Sequence, residues 1–399
     1  MFKRHRYVFL ASSLLLTLLV VGVLLIPRVL THANTTSNIS VQPQVAGNCG
    51  ITKTSTGYHF DWLHTANGNV VASSGCTMNL RGFNLAGTGF GDAFGGMSQR
   101  INHDIPWFAQ TFKMNLWRVF LNAVWWNNDV AVPNAGMHYR AWIQHIVSLL
   151  ESNGNYVLLT KGPQFHELPC GGSISYCPPQ NQAELDIHKD QHNVTYQHQL
   201  TTGQYIDDAV TMWRSVASAY TNDPAVLYAS WNEMHGISDS TWRTNSATLI
   251  DTIQASNARA LVLVGGPRYE NGISPLLKGS VPAFSEKNVV YDFHVYNGYS
   301  GTFQGKQCNE PANQLWVDWS KNSEKQISYA QQHGAISFSE WGGCSDVEPY
   351  NSTITSFAIS HHVMLAYYEW SEVVNLTGKG NYQLNTNGLR VQADYARMG

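Results

Sequence analysis

Eight short apolar runs, separated by amphipathic stretches of helical period, dominate this sequence and leave few folds open to it. The runs are Asn79–Leu85, Asn115–Phe120, Tyr156–Thr160, Val226–Trp231, Ala260–Val264, Val289–Val295, Ala335–Ser339 and Met364–Trp370. They are rich in β-branched and aromatic residues and mostly apolar on both faces, as strands of a helix-covered parallel sheet are. The intervening helical patterns are Ser98–Lys113, Tyr139–Ser152, Tyr205–Tyr220, Ser240–Asn257, Asn313–His333 and Ser352–His361. Eight strands alternating with helices predict an α/β chain folded as a (β/α)8 TIM barrel. A doubly wound open sheet is the alternative, and it needs a phosphate loop. The nearest string, Gly87-Thr88-Gly89-Phe90-Gly91-Asp92, ends on Asp92 and reads instead as a turn using glycine at positive φ. Long segments follow the first and third strands (Leu85–Gln99 and Gly162–Gly203), where barrel enzymes carry active-site loops. Ahead of the barrel, Tyr58–Cys76 reads as a short β-hairpin turning at Asn67-Gly68.

The N-terminus reads as a separate region. Lys3, Arg4 and Arg6 precede an uncharged apolar run, Val8–Ile26, which Pro27 ends, and Thr31-His32-Ala33 has the small residues of a cleavage site. Residues 1–33 are thus either a signal peptide cut after Ala33 or an uncleaved signal anchor. Both readings place the rest of the chain outside the cell, and only the anchor gives it a membrane partner. Residues 34–48 read as a short polar linker and 49–399 as a single catalytic domain. The six cysteines suit export, and sequence proximity pairs Cys49 with Cys76 and Cys170 with Cys177, leaving Cys308 with Cys344. With 24 Lys+Arg against 27 Asp+Glu, no basic face for nucleic acid is expected. No CxxC or HExxH string occurs, and His188, His192 and His198 sit in a polar stretch that reads as a solvated face. No metal or cofactor is therefore expected, and the chain is expected to be a monomer.

In such a barrel the chemistry gathers at the C-terminal ends of the strands. Those positions hold Arg118 on the second strand, Asn232 and Glu233 after the fourth, and His294 and Tyr296 at the sixth. Glu340 follows the seventh and Trp370 closes the eighth. Trp125 and Trp126, after the second strand, are either sugar platforms or core. Two carboxylates converging beside an arginine and aromatic faces suit glycoside hydrolysis, which needs one protonated and one ionised carboxyl.

These positions lie in strings that together resemble a known family. LRGFNL (80–85), NLWRVF (115–120), YASWNE (228–233), DFHVY (292–296), ISFSEW (336–341) and YYEW (367–370) are similar to glycoside hydrolase family five, the cellulase-like members of clan A. The resemblance implies a (β/α)8 barrel and a retaining β-glycanase. It implies Glu233 as acid/base and Glu340 as nucleophile, with Asn232 on the sugar 2-hydroxyl. Arg118 and Tyr296 would hold Glu340, His294 would sit beside Glu233, and Trp370 would floor the subsite. The third strand departs from the family. It reads Leu159-Thr160-Lys161-Gly162-Pro163 where a His is usual, and no His occurs before His166. The function expected is a secreted hydrolase of β-1,4-glucan or mannan, endo-acting on polysaccharide or oligosaccharide. The alternatives are an exo-β-glycosidase, a transglycosylase or a catalytically silent carbohydrate-binding barrel.

Overall fold

Strand and helix alternate because the apolar periods alternate, and the strands close on themselves. A computed structural model describes residues 49–85, 88, 97–132, 135–162, 204–296, 325–342, 350–368, 370–376 and 382–399. Eight strands form the barrel: β1 (Arg81–Leu85), β2 (Leu116–Leu121), β3 (Tyr156–Lys161), β4 (Val226–Ala229), β5 (Val262–Gly265), β6 (Val289–Tyr296), β7 (Ala335–Gly342) and β8 (Met364–Tyr367). Each pairs in parallel with the next, and β8 pairs with β1 to close the ring. Helices Met97–Phe112, Tyr139–Glu151, Gln204–Ala219, Asp239–Ser256 and Tyr350–His361 lie between strands, as their spacing predicts. The pattern expected to run to His333 is helical over 325–333, its earlier part lying outside the described residues.

Period-2 alternation splits the core into two layers. Leu116, Leu158, Leu227, Leu263, Val290 and Ala366 fill the barrel interior. Trp117, Leu159, Tyr228, Val264, Phe293 and Phe338 face the helices, against Phe108, Trp142, Trp213 and Trp242.

Several boundaries differ from the sequence expectation. Instead of one hairpin there are two, Ile51–Thr54 with Gly57–Phe60 and Leu63–Ala66 with Asn69–Ala72. The second turns at Asn67 (φ 51°) and Gly68 (φ 80°), the two left-handed residues that a tight hairpin turn requires. Phe60, Leu63, Val70 and Met78 join the interior layer at the strand starts, so the hairpins plug the N-terminal end of the barrel. Tyr156 Oη donates to the carbonyls of Gly50 (2.7 Å) and Asp61 (2.9 Å), tying them to β3. The Cys49–Cys76 disulfide is present. Cys170, Cys177, Cys308 and Cys344 lie outside the described residues, as do the leader and the linker. Every described residue belongs to one compact unit, Val45–Gly399. Among the described residues no helix is long and apolar enough to cross a membrane. Further helices among the described residues, Ala123–Asn128, the single turn Ser274–Leu277 and Thr386–Met398, escaped the periodicity reading. Thr386–Met398 anchors to β1, where Tyr395 Oη donates to Gly82 O at 2.5 Å.

Candidate active site

Arg118 is the hub of the strand ends. It lies on β2 and is fully buried, so each of its donors must be met inside the protein. Nη1 donates to Glu340 Oε1 at 2.6 Å and to Asn84 Oδ1 at 2.9 Å. Nη2 donates to Asn232 Oδ1 at 2.7 Å and Nε to Thr160 Oγ1 at 3.1 Å. Asn84 is oriented in turn by donating Nδ2 to the carbonyls of Ser339 (2.8 Å) and Ala366 (3.1 Å). Tyr296 Oη donates to the other Glu340 oxygen at 2.7 Å. Glu340 is thus a buried carboxylate gripped from both sides.

Glu340 reaches the mouth through an irregularity in β7. Asp292 pairs with Ser337 but His294 with Glu340, and on the far side Phe338 pairs with Leu365 but Trp341 with Tyr367. The middle strand therefore holds one extra residue against both neighbours, a β-bulge. Simple alternation would turn Glu340 toward the helices with Phe338. The bulge keeps Ser339 and Glu340 both inward and returns Trp341 to the helix side. Asp292 secures it: Oδ1 accepts the Ser339 amide at 2.9 Å, and Oδ2 accepts the Ser339 hydroxyl. Burial, reinforced by the Glu270 charge, pushes the Asp292 carboxyl up to about 6.

Glu233 stands across from Glu340, beyond the end of β4. Asn232 N donates to Lys161 O at 2.9 Å, and Glu233 then takes a left-handed backbone (φ 54°), uncommon for a residue with a Cβ. His294 Nδ1 is 2.7 Å from Glu233 Oε1 and 3.4 Å from Glu340 Oε2, so one nitrogen bridges both carboxyls. One oxygen of each glutamate and a His294 nitrogen lie within 4.8 Å of one another. Burial raises the Glu233 carboxyl above its ordinary value and the charges of Glu340 and Glu270 add to the rise, while the His294 contact opposes it. His294 itself is held well above the usual imidazole range: burial alone would lower it, but the Glu270 and Glu340 carboxylates prevail. A second cluster, Glu270, Asp292 and His294, is equally close. Because these atoms already pair with one another, with Arg118 and with Tyr296, we assign no metal to either cluster.

The structure therefore brings Arg118, Asn232, Glu233, His294, Tyr296 and Glu340 together. The tryptophans fare differently. Trp125 and Trp126 are buried on the short helix Ala123–Asn128, so the platform reading of this pair is corrected to core. Asn122 caps that helix by accepting from Val124 N (3.0 Å) and Trp125 N (3.2 Å), and Trp125 packs edge-on against Tyr139 at 5.6 Å. Trp370 is not on β8 but opens the 3-10 turn Trp370–Val373, where it meets Phe108 (5.8 Å) and Tyr382 (6.4 Å) edge-on in the wall. Just past the end of β8, the ring of Tyr368 lies 6.4 Å from that of Tyr296.

At the third strand, Thr160 points inward to Arg118. Lys161, one residue on, points outward and is buried, its Nζ 3.3 Å from the centre of the Trp231 ring and donating to Gly162 O at 3.0 Å. Burial lowers its amine well below the ordinary lysine value. His166, His188, His192 and His198 lie outside the described residues, as does most of the 87–92 glycine string.

Sequence reasoning passed over Asn84, Asp292, Ser339 and Glu270. The first three lie in the strings 80–85, 292–296 and 336–341, on the inward positions of their strands. Glu270 had only the glycine-flanked turn GGPRYENG (265–272) to announce it.

A model of the cellulase family (glycosyl hydrolase family 5) matches residues 174–373. A search of curated proteins found no match. Among solved structures, a β-glucanase from Saccharophagus degradans in complex with cellotetraose aligns with a TM-score of 0.59 at 17% identity, covering 84% of this chain and 93% of its own. The catalytic domain of a Thermobifida fusca endoglucanase, also with cellotetraose, aligns at 0.55 and 13%, covering 84% and 97%. A Thermotoga maritima protein in complex with mannotriose aligns at 0.55 and 14%, covering 79% and 97%.

Proposed function

Because this chain belongs to glycosyl hydrolase family 5 and is an O-glycosyl hydrolase, we propose that it cleaves β-linked glycans with retention, Glu340 acting as nucleophile and Glu233 as acid/base. The observation that carries this reading is that one oxygen of each carboxyl lies within 4.8 Å of the other. Retaining enzymes hold them about 5–5.5 Å apart, whereas inverting ones need about 6.5–9.5 Å to admit a water.

The environments divide the labour. Arg118 and Tyr296 grip both Glu340 oxygens and fix the carboxylate for attack on the anomeric carbon. Glu233, raised by burial, keeps the proton that the departing alkoxide needs. The glycosyl ester on Glu340 is then hydrolysed by water, from which Glu233, now ionised, takes a proton. Asn232 spends Oδ1 on Arg118, which leaves Nδ2 to donate to a sugar hydroxyl. Tyr368, rather than Trp370, supplies the aromatic face beside the cleaved sugar. The structural relatives bind cellotetraose and mannotriose, which favours a β-1,4-glucan or mannan and endo attack. The charged, apolar and small-residue order of residues 1–33 favours export.

Glu233→Ala is expected to lose about 10²–10⁴-fold on polysaccharide. It should keep its first step on an aryl glycoside whose leaving group needs no proton, and azide should rescue it to a β-glycosyl azide. Glu340→Ala should be inactive on both substrates, and its rescue by added azide should give the α-glycosyl azide. NMR of early wild-type products should show the β-anomer first. An α-anomer first overturns the assignment. Product sizing over a polysaccharide panel fixes sugar and mode.

A further inference from the structure

The turn after β5 carries a third buried carboxyl that the two-glutamate reaction does not itself require. Glu270 is only 2% exposed, and its two oxygens serve different partners. Oε1 accepts the main-chain amide of Glu233 at 2.8 Å. Oε2 lies 2.7 Å from His294 Nε2, on the opposite side of the ring from the nitrogen that meets Glu233. The Glu270 carbonyl also accepts the His294 amide at 3.0 Å.

The local sequence is built to fold Glu270 back. A Cβ at Gly265 would stand 2.1 Å from Glu270 Cγ, and one at Gly266 would stand 1.7 Å from the Gly272 carbonyl oxygen, so only glycine fits at either place. Tyr269 and Glu270 both adopt left-handed backbones (φ 53° and 55°), as Glu233 does (φ 54°). Such backbones are strained and persist where neighbours over-determine them. Here the two turns lock: His235 Nδ1 donates to Glu233 O (2.7 Å) and its ring stacks on Tyr269 at 3.7 Å.

We propose that Glu270 is a positioning residue for glycoside cleavage, holding His294 with Nε2 protonated and Nδ1 turned to Glu233 while fixing the Glu233 main chain. The proposal rests on Glu233 being the acid/base. It has the logic of a carboxylate that orients a histidine through its far nitrogen. The groups facing His294 are Glu233 from beyond β4, Glu270 from beyond β5, Glu340 and Ser339 from β7, and Asp292 on its own strand. Arg118 and Tyr296 reach it through Glu340. Glu270 is held below its ordinary value: burial would raise it, but His294 and Arg118 outweigh burial. An anionic Glu270 can accept the Glu233 amide on Oε1 while Oε2 pairs with the His294 imidazole at ion-pair distance. A glutamine has one acceptor oxygen and must forsake either Glu233 N–H or His294 Nε2–H.

The test is imidazole ¹⁵N NMR on the full chain, with His294 assigned by comparison with His294→Gln. It is joined to pH profiles of kcat/KM for wild type and Glu270→Gln. Wild-type His294 should keep Nε2 protonated across about pH 5–8 without titrating at the ordinary value near 6.5. In Glu270→Gln it should titrate within about one unit of that value. The cation lost from beside Glu233 is nearer than the anion lost beyond the ring. The alkaline limb on polysaccharide should therefore move upward by about one unit, with kcat down about tenfold or more. KM for an aryl glycoside with a good leaving group should stay within about threefold. A fall in rate with an unmoved limb would mean a merely structural role and overturn the proposal. So would wild-type His294 titrating near the ordinary value, a measurement that decides alone if the variant does not fold. The NMR readout needs no substrate, so failure of the two-glutamate assignment shows separately, in the azide products.

Discussion

At the end of β8 two aromatic residues, two positions apart, face different surroundings. Trp370 wedges its ring among Phe108 and Tyr382, whereas Tyr368 stands by Tyr296 at the mouth. Truncating the first should be a stability event. Trp370→Ala is expected to cost about 1–3 kcal/mol, less than a fully buried tryptophan because the ring is partly exposed, and to leave kcat/KM within a few-fold. Tyr368→Ala should do the reverse, with a small change in Tm and about a tenfold loss in kcat/KM, since a sugar face stacks on it without charge. Thermal melts and kinetics on both variants check the pair. A Trp370→Ala protein of wild-type Tm and crippled turnover would restore Trp370 as the platform.

Elements place these residues through register. The bulge in β7 decides that Glu340 points inward, and Asp292 holds the bulge by its contacts to the Ser339 amide and hydroxyl. Asp292→Ala should let β7 relax, and a displacement of about 1 Å at Glu340 is expected to cut kcat about 10²-fold even on an activated aryl glycoside. Ser339→Ala should cost less, because the amide contact survives. Helix Tyr139–Glu151 makes a separate prediction at the other end of the barrel. Glu151 is its last residue, where the helix dipole disfavours an anion, and burial with the neighbouring Asp223 pushes its carboxyl up to about 8. A carboxyl raised in the folded state binds a proton that the unfolded chain releases, so its contribution to stability falls as pH rises from 4.5 to about 8. Glu151→Gln should remove that fall. Its Tm should match wild type near pH 4.5 and exceed it at pH 8. Equal Tm differences at both pH values would show that the pair does not titrate.

For the molecule as a whole, the two ends of the barrel do different work. The N-terminal end is sealed by hairpins clamped through Cys49–Cys76, a bridge spanning 27 residues of sequence. Loop-closure entropy for that span is about 3–4 kcal/mol. Cys49→Ser/Cys76→Ser should lose up to that amount in denaturant unfolding, yet keep kcat, because the site lies at the opposite end. Non-reducing peptide mapping should also find Cys170 joined to Cys177 and Cys308 to Cys344. Alkylation of Cys308 and Cys344 without reductant would refute that pairing. The C-terminal end concentrates charge in the ring formed by Arg118, Glu233, Glu270, Asp292, His294 and Glu340. The candidate catalytic residues and three left-handed residues, Glu233, Tyr269 and Glu270, therefore share one end, while the hairpins and their disulfide brace the other.

Local information carried a great deal of this. Short doubly apolar runs and helical periods specify element type through the geometry of side-chain alternation, which needs no partner. Element order then leaves a closed barrel, and a barrel puts Arg118, Asn232, Glu233, His294, Tyr296 and Glu340 at one mouth. Asn67-Gly68 declares its turn because only particular residues tolerate positive φ. What sequence period could not supply is facing at the ends of elements. Trp125 and Trp126 turn inward because a six-residue helix has too few turns to show an apolar stripe. Glu340 faces inward against its strand's own alternation, because an extra residue is absorbed only when two neighbouring strands set the register. Glu270 meets His294 and Glu233 because two turns separated in sequence fold against each other. Those contacts arise between chain segments whose relative position exists only once the barrel has closed.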